Sequence, residues 1–232
     1  MYTGGSDTKL EEKSIHTAYQ PIYRLDSEGI YGYEGLAHLE DSSISSISEL
    51  MGSIETDDKM QALNLHIMEQ VIRNFKGDKK LFIPMIGSSA EATTEYLDRM
   101  IKVAQEVDFN LENLILELSE RASWKQESID TIREYKANYQ FLLAIDNLGI
   151  GFSNNFLLLD IPADIVKIDK VFIKKIDKDR KKHATVRAFI EVIKNSNMKI
   201  FCNGIEEEAE LKVVKTLGSD LGQGYYLGKP II

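Results

Sequence analysis

Glu34, Glu117 and Asp146 each stand at the end of a different strand-like run, and three carboxylates delivered from three strands can converge on one divalent cation. A hard ion such as Mg²⁺ takes oxygen ligands of this kind. The ends of the other runs carry further polar groups: Lys167 and Asp169, Asn203 and Glu206, and Gln223, with Pro84 as the apolar exception. Residue type alone leaves a second reading open, because an acid at a strand end also serves as a helix cap or a solvated loop residue.

The elements that must position these groups follow from the pattern. Short apolar runs rich in Ile, Leu, Val and Phe fall at 16–23, 30–36, 80–85, 113–118, 141–145, 163–168 and 198–202, and read as seven strands. A segment at 219–221 is a candidate eighth. Apolar residues at three- and four-residue spacing predict helices over 59–75, 95–107, 126–137, 180–194 and 207–217. Strands apolar throughout and alternating with helices describe a parallel sheet covered by helices, and about eight such units in 232 residues match a (β/α)8 TIM-like barrel. In that fold the chemistry sits at the C-terminal ends of the strands. The first connection departs from the rule. Only Asp26-Ser27-Glu28-Gly29 separates the first two strands, which is too short for a crossover helix, so the first strand is expected to run antiparallel to the second. Residues 1–13 read as a flexible leader and 14–232 as a single barrel domain.

Composition narrows the function. Hydrophobic residues are 43% and charged residues 28% of the chain, a balance that excludes a disordered or membrane-spanning chain. The net charge of −9 repels polyanions, so a nucleic-acid polymer is not expected as a partner, although a small anion can still bind where a local cation receives it. The single cysteine, Cys202, and an N-terminus without a basic and apolar leader point to a reducing, cytoplasmic setting.

Tyr19-Gln20-Pro21-Ile22-Tyr23 followed by Gly32-Tyr33-Glu34-Gly35-Leu36 resembles the opening of the EAL domain family, the cyclic di-GMP phosphodiesterases of bacteria. Leu116-Glu117-Leu118-Ser119-Glu120 is similar to that family's E-L-T-E segment, and the stretch from Ile145-Asp146-Asn147 through Gly151-Phe152-Ser153 to its D-D-F-G-T-G-Y-S-S loop. Val166-Lys167-Ile168-Asp169-Lys170 and Gln223-Gly224-Tyr225-Tyr226-Leu227-Gly228-Lys229-Pro230 follow in the same order, so the resemblance runs from about residue 16 to 232. It implies a barrel with an antiparallel first strand. It also implies hydrolysis of one phosphodiester of cyclic di-GMP, with two divalent ions activating a water and stabilising the leaving oxygen.

Against that family pattern the site is incomplete. Glu34, Glu117, Asp146 and Lys167 match the family's catalytic positions. Pro84 stands where the resemblance calls for an Asn ligand, Asn147 for the second Asp, Asn203 for the first Glu of E-G-V-E, and His38 for the Arg that contacts a ligand phosphate. Proline has neither a side-chain oxygen nor a backbone N–H, and the two asparagines keep an oxygen but lose a charge. Glu34, Glu117 and Asp146 are therefore expected to hold at most one weakly bound Mg²⁺ or Ca²⁺, and no cofactor is required. Gln20, Glu34, His38, Lys167 and Gln223 remain as candidate ligand contacts, but a mostly neutral histidine does not reproduce a bidentate arginine–phosphate pair, so cyclic di-GMP should bind weakly or not at all.

The expectation is a catalytically degenerate EAL-type domain that acts through an unidentified protein partner in bacterial signalling or regulation, with a homodimer expected by analogy. A non-hydrolysing cyclic di-GMP receptor and a slow phosphodiesterase are the rival readings. Cys202 reads as a small buried hydrophobe, His16 and His66 as structural, and Glu207 and Glu208 as acids at a helix N-terminus. Glu206 matches the second Glu of the family segment. The basic residues from Lys174-Lys175 to Arg180-Lys181-Lys182-His183 read as a solvated helix start, with a docking face for an acidic partner as the alternative, and Phe156-Leu157-Leu158-Leu159 as packed under the sixth strand.

Overall fold

The computed structural model describes residues 15–39, 57–85, 90–122, 124–150 and 157–232. The segment expected as a leader lies outside them, as do Phe156 and the side chain of His38. Eight strands close into one barrel in sequence order. They are β1 (Ile15–Arg24), β2 (Ile30–Leu39), β3 (Lys80–Met85), β4 (Leu114–Ser119), β5 (Leu142–Leu148), β6 (Ile165–Ile168), β7 (Lys199–Cys202) and β8 (Leu221–Gly222). β1 is antiparallel to both β2 and β8, and every other neighbour is parallel. The antiparallel start follows from its short turn: Arg24 N–H donates to Gly29 O at 2.8 Å, and Glu28 takes a left-handed φ of 57°.

The helices are α1 (Asp57–Asn74), α2 (Ala90–Glu106), α3 (Gln126–Tyr139), α4 (Leu157–Asp160), α5 (Lys170–Ile173), α6 (Arg180–Asn195) and α7 (Glu208–Leu217). Two apolar clusters glue them to the barrel. One joins α1, α2 and α3 to β3, β4 and β5 through Val71, Leu97, Ile129 and Leu143; the other joins α6 and α7 to β6 and β7 through Ile190, Val214 and Ile200. α1 approaches so closely that a Cβ on Gly35 would lie 2.2 Å from a methyl of Val71, so only glycine fits there. A third cluster fills the barrel: Ile22, Tyr31, Phe82, Ile115, Ala144, Ile165, Phe201 and Leu221. Phe82 and Phe201 meet edge-on at 5.8 Å. The interior is thus a packed floor, and Glu117, Asp146, Lys167, Asn203 and Gln223 follow the floor residues of their strands by two positions.

Several boundaries differ from expectation. The eighth strand is Leu221–Gly222 and excludes Ser219. α2 begins at Ala90, five residues before the first strongly periodic position. Leu159 is 80% exposed, so the run expected beneath β6 includes a single turn, α4, that turns this leucine to solvent, while Leu158 packs inward against both outer clusters; Phe156 and the side chain of Leu157 lie outside the described residues.

Candidate functional site at the barrel mouth

Lys167 comes from β6, all four residues of which are buried. Its ammonium lies 2.5 Å from Glu117 Oε1 of β4, 3.1 Å from Glu34 Oε1 of β2 and 3.7 Å from Asp146 Oδ1 of β5. The lysine side chain has no solvent exposure, and its Nζ also stands 5.1 Å from the ring centroid of Phe201 beneath it. Glu34 carries the chain onward, since its Oε2 accepts from Gln223 Nε2 at 2.8 Å. Gln223 follows β8 and is held by the next residue: Gly224 has φ 155°, and a Cβ there would fall 2.0 Å from Ile205 O.

Charge sets the protonation states. Burial alone would lower the Lys167 pKa, but the carboxylates of Asp146, Glu117 and Glu34 outweigh it and hold the ammonium well above its ordinary value. Burial pushes Glu117 well above the usual carboxylate range against the pull of Lys167, and the charges of Glu34 and Asp146 add to the rise. Asp146 is raised by burial, with Lys167 opposing. At Glu34 burial also acts upward, yet Lys167 and the hydrogen bond from Gln223 overcome it and leave this carboxyl below its ordinary value.

β5 bends where it delivers its acid. Pairing with β6 shifts register between Ile145 and Leu148, and Asn147 sits there in the left-handed region at φ 64°, a conformation asparagine tolerates better than most residues. Its Oδ1 accepts from Ser119 Oγ at 3.3 Å. Pro84 is in register with Glu117, is exposed, and offers its carbonyl to the Tyr96 hydroxyl at 3.2 Å. Asn203 donates its backbone N–H to Ile168 O at 3.1 Å and is half-buried. Gln20 lies opposite Glu34, and its Nε2 donates to Gly228 O at 2.9 Å, which pins the C-terminal segment to β1. His38 pairs with His16 across β1 and β2.

The structure thus brings Glu34, Glu117, Asp146, Lys167 and Gln223 together and leaves Pro84, Asn147 and Asn203 around them. Three buried acceptors in this cluster have no hydrogen-bond partner: Glu117 Oε2, Asp146 Oδ1 and Gln223 Oε1. They are suited to a donor or a cation, but the point on which the carboxylates converge is taken by the Lys167 ammonium. Among the described residues no three His, Cys, Asp or Glu side chains are disposed to hold a metal ion.

Other contacts were not legible from spacing. Glu120 Oε2 accepts from Gly149 N–H at 2.9 Å and Glu120 N–H donates to Asp146 O at 2.9 Å, tying the turn after β4 to the end of β5. Arg121 reaches Asp169 at 3.6 Å, while Asp169 caps α5 through Val171 N–H. Glu206 is paired with Lys174 at 3.2 Å and Glu207 with Lys178 at 3.7 Å, so part of the basic cluster faces acids of this same chain. Glu207 forms a capping box with Glu210 at the start of α7, Asp179 caps α6, and Cys202 is fully buried.

A closed barrel with an inverted first strand, and a Glu/Glu/Asp/Lys/Gln cluster at its mouth, define a class. Residues 6–230 match the EAL domain family model, and the chain belongs to that family. It is 22% identical over 229 residues to a cyclic di-GMP phosphodiesterase of Pseudomonas aeruginosa, covering 95% of this chain and 39% of that protein. The chain therefore spans about two fifths of that relative's length. Among solved structures it superposes on the EAL enzyme Bd1971, in its cAMP- and cyclic-di-GMP-bound form, with a TM-score of 0.83 at 24% identity over 94% of this chain and 62% of that one. It also superposes on Klebsiella pneumoniae BlrP1 in a manganese and cyclic-di-GMP complex, with a TM-score of 0.79 at 18% identity over 95% of this chain and 57% of that one. These likenesses fix the fold. Among the described residues, no helix is long and apolar enough to cross a membrane.

Proposed function

We propose that this chain is a catalytically degenerate EAL-type domain that works in bacterial cyclic di-GMP signalling or regulation through contacts with a protein partner, with little or no hydrolysis of cyclic di-GMP. The observation that carries this reading is that Pro84, Asn147 and Asn203 stand around the carboxylate cluster at the positions where the family pattern calls for ligands, with Pro84 in register beside Glu117. Each change removes an oxygen or a charge, and losses even in the outer shell of a metal site cost about 10- to 100-fold in affinity or activity. Three carboxylates against one ammonium also leave the mouth negative, which repels a phosphodiester when no divalent ion bridges them. The fold then persists as a scaffold for surface contacts, a second copy of the chain being one candidate partner.

The test is turnover of cyclic di-GMP to linear dinucleotide by the purified protein in Mg²⁺ or Mn²⁺, alongside the triple variant Pro84→Asn, Asn147→Asp, Asn203→Glu. The parent should show no metal-dependent turnover above background and the repaired variant should gain it. Robust turnover by the parent overturns the reading.

A further inference from the structure

We propose that the shoulder formed by α5 and the first two turns of α6 is the face on which a protein partner docks, and that it receives an acidic segment rich in Asp and Glu. The inference rests on the reading of the chain as an interaction module and adds the partner's chemistry to it. Charge is spread unevenly along the sequence. Residues 170–187 hold eight of the 28 Lys and Arg against two acids, Asp177 and Asp179, in a chain whose net charge is −9. Part of this positive charge is answered within the chain: Lys174 pairs with Glu206, Lys178 with Glu207 and Asp177, and Lys182 Nζ donates to Lys174 O at 2.7 Å. Lys170, Lys175, Arg180, Lys181 and Arg187 are exposed, and among the described residues no ion pair engages them.

The backbone beneath these cations is firmly held. Lys175 stands in the left-handed region at φ 60°, and its N–H donates to Oε1 of the buried Glu210 at 2.7 Å, which ties the turn after α5 to the start of α7. Asp179 caps α6 through the N–H groups of Lys181 and Lys182 at 2.9 and 3.2 Å, and Phe172 of α5 meets Phe189 of α6 edge-on at 5.4 Å. Seven residues make nearly two helical turns, so Arg180 and Arg187 lie on one side of α6, about 10 Å apart along its axis. Guanidinium groups take carboxylates bidentately, and an extended segment advances about 3.3 Å per residue, so acids three positions apart reach both. Val171, 52% exposed beside Lys170, adds an apolar contact. A second copy of the chain fits this face poorly, because a two-fold pair centred on it sets cation against cation. A nucleic-acid strand is disfavoured as well: its phosphates continue past the shoulder onto a chain that is otherwise acidic, whereas a short acidic segment ends within it.

The experiment is fluorescence anisotropy with a labelled peptide made of three repeats of Glu-Glu-Leu-Ser, and with its counterpart carrying Gln for Glu. It compares the parent, a shoulder variant (Arg180→Glu, Lys181→Glu, Arg187→Glu) and a charge-matched control at exposed sites elsewhere (Lys76→Glu, Lys79→Glu, Lys229→Glu). The parent should bind the Glu peptide at least about tenfold more tightly than the shoulder variant and lose most of that binding at high salt, while the control stays within about twofold of the parent. Should the shoulder variant not fold, the neutral set Arg180→Gln, Lys181→Gln, Arg187→Gln takes its place and should weaken binding at least about threefold. No binding by the parent, an equal loss in the shoulder and control variants, or equal affinity for the Gln peptide overturns the proposal. So does tighter binding of a single-stranded DNA oligonucleotide or of phosphatidylserine vesicles than of the Glu peptide, and so does self-association of the parent that the shoulder variant abolishes in sedimentation velocity. Turnover of cyclic di-GMP is read separately: a parent that hydrolyses it yet binds the peptide sinks the catalytic reading alone, and a parent that does neither sinks this proposal alone.

Discussion

The even-numbered and odd-numbered strands end differently at the barrel mouth. β2, β4, β6 and the end of β8 bring Glu34, Glu117, Lys167 and Gln223 into one hydrogen-bonded chain. β3, β5 and β7 end in or beside Pro84, Asp146-Asn147 and Asn203, and of these only Asp146 is seen to reach the lysine. Inward-facing residues of such barrels stack in layers drawn from alternate strands, so one layer can change while the other stays. The even-strand layer bonds to itself and closes the rim. At the odd-strand ends Pro84 is exposed, and the Asn147 side chain accepts a hydrogen bond from the Ser119 hydroxyl at 3.3 Å.

This contrast can be broken at several places. The largest effect is expected beneath the connected layer, at Phe201, which is fully buried, edge-on to Phe82 and under the Lys167 ammonium. Phe201→Ala should cost about 3–5 kcal/mol in denaturant unfolding. Next comes Glu34→Gln, which removes a carboxylate that accepts from both Lys167 and Gln223 and should cost about 1.5–3 kcal/mol at pH 7. Its pH dependence has a definite sign. The folded pKa of Glu34 lies below its ordinary 4.5, so its contribution is fully present above that value and is lost as pH falls through the folded pKa. The parent and Glu34→Gln should therefore converge in stability in acid.

Asp146, from an odd strand, carries the opposite sign. Its folded pKa lies above 3.8, so the folded state binds more protons than the unfolded chain between the two values, and stability falls as pH rises through that window. Asp146→Asn should thus be neutral or mildly stabilising at pH 7 and show a flatter stability profile above pH 4, measured by unfolding across pH. The smallest effect is expected at Pro84. Pro84→Asn lies at an exposed rim position and should change stability by no more than about 0.5 kcal/mol. A large loss there would mean that the odd-strand positions also hold the fold.

Much of this arrangement could be read from the chain. The apolar runs gave strands because parallel strands buried on both faces are continuous in hydrophobicity, and the four-residue connection at Asp26–Gly29 forced the antiparallel start. β8 was nearly invisible because it has two residues, Leu221 and Gly222, too few to show a pattern. α4 and α5 are single turns without periodicity, which is why Leu159 was expected inside and stands outside. The motifs put Glu34, Glu117, Asp146, Lys167 and Gln223 at strand ends, but their contacts with one another were not legible: Lys167 and Glu117 are fifty positions apart, and only barrel closure and register place the ammonium at the centre of the carboxylates. Phe201 under the lysine and the Arg121–Asp169 contact depend in the same way on where two strand ends meet.

The most direct measurement is an anomalous-scattering map from crystals of the protein grown with Mn²⁺ and cyclic di-GMP. The account predicts no pair of manganese peaks at the barrel mouth, with Lys167 Nζ still seated among Glu34, Glu117 and Asp146. Two peaks a few ångström apart among those carboxylates, bridging a bound phosphate, would contradict it.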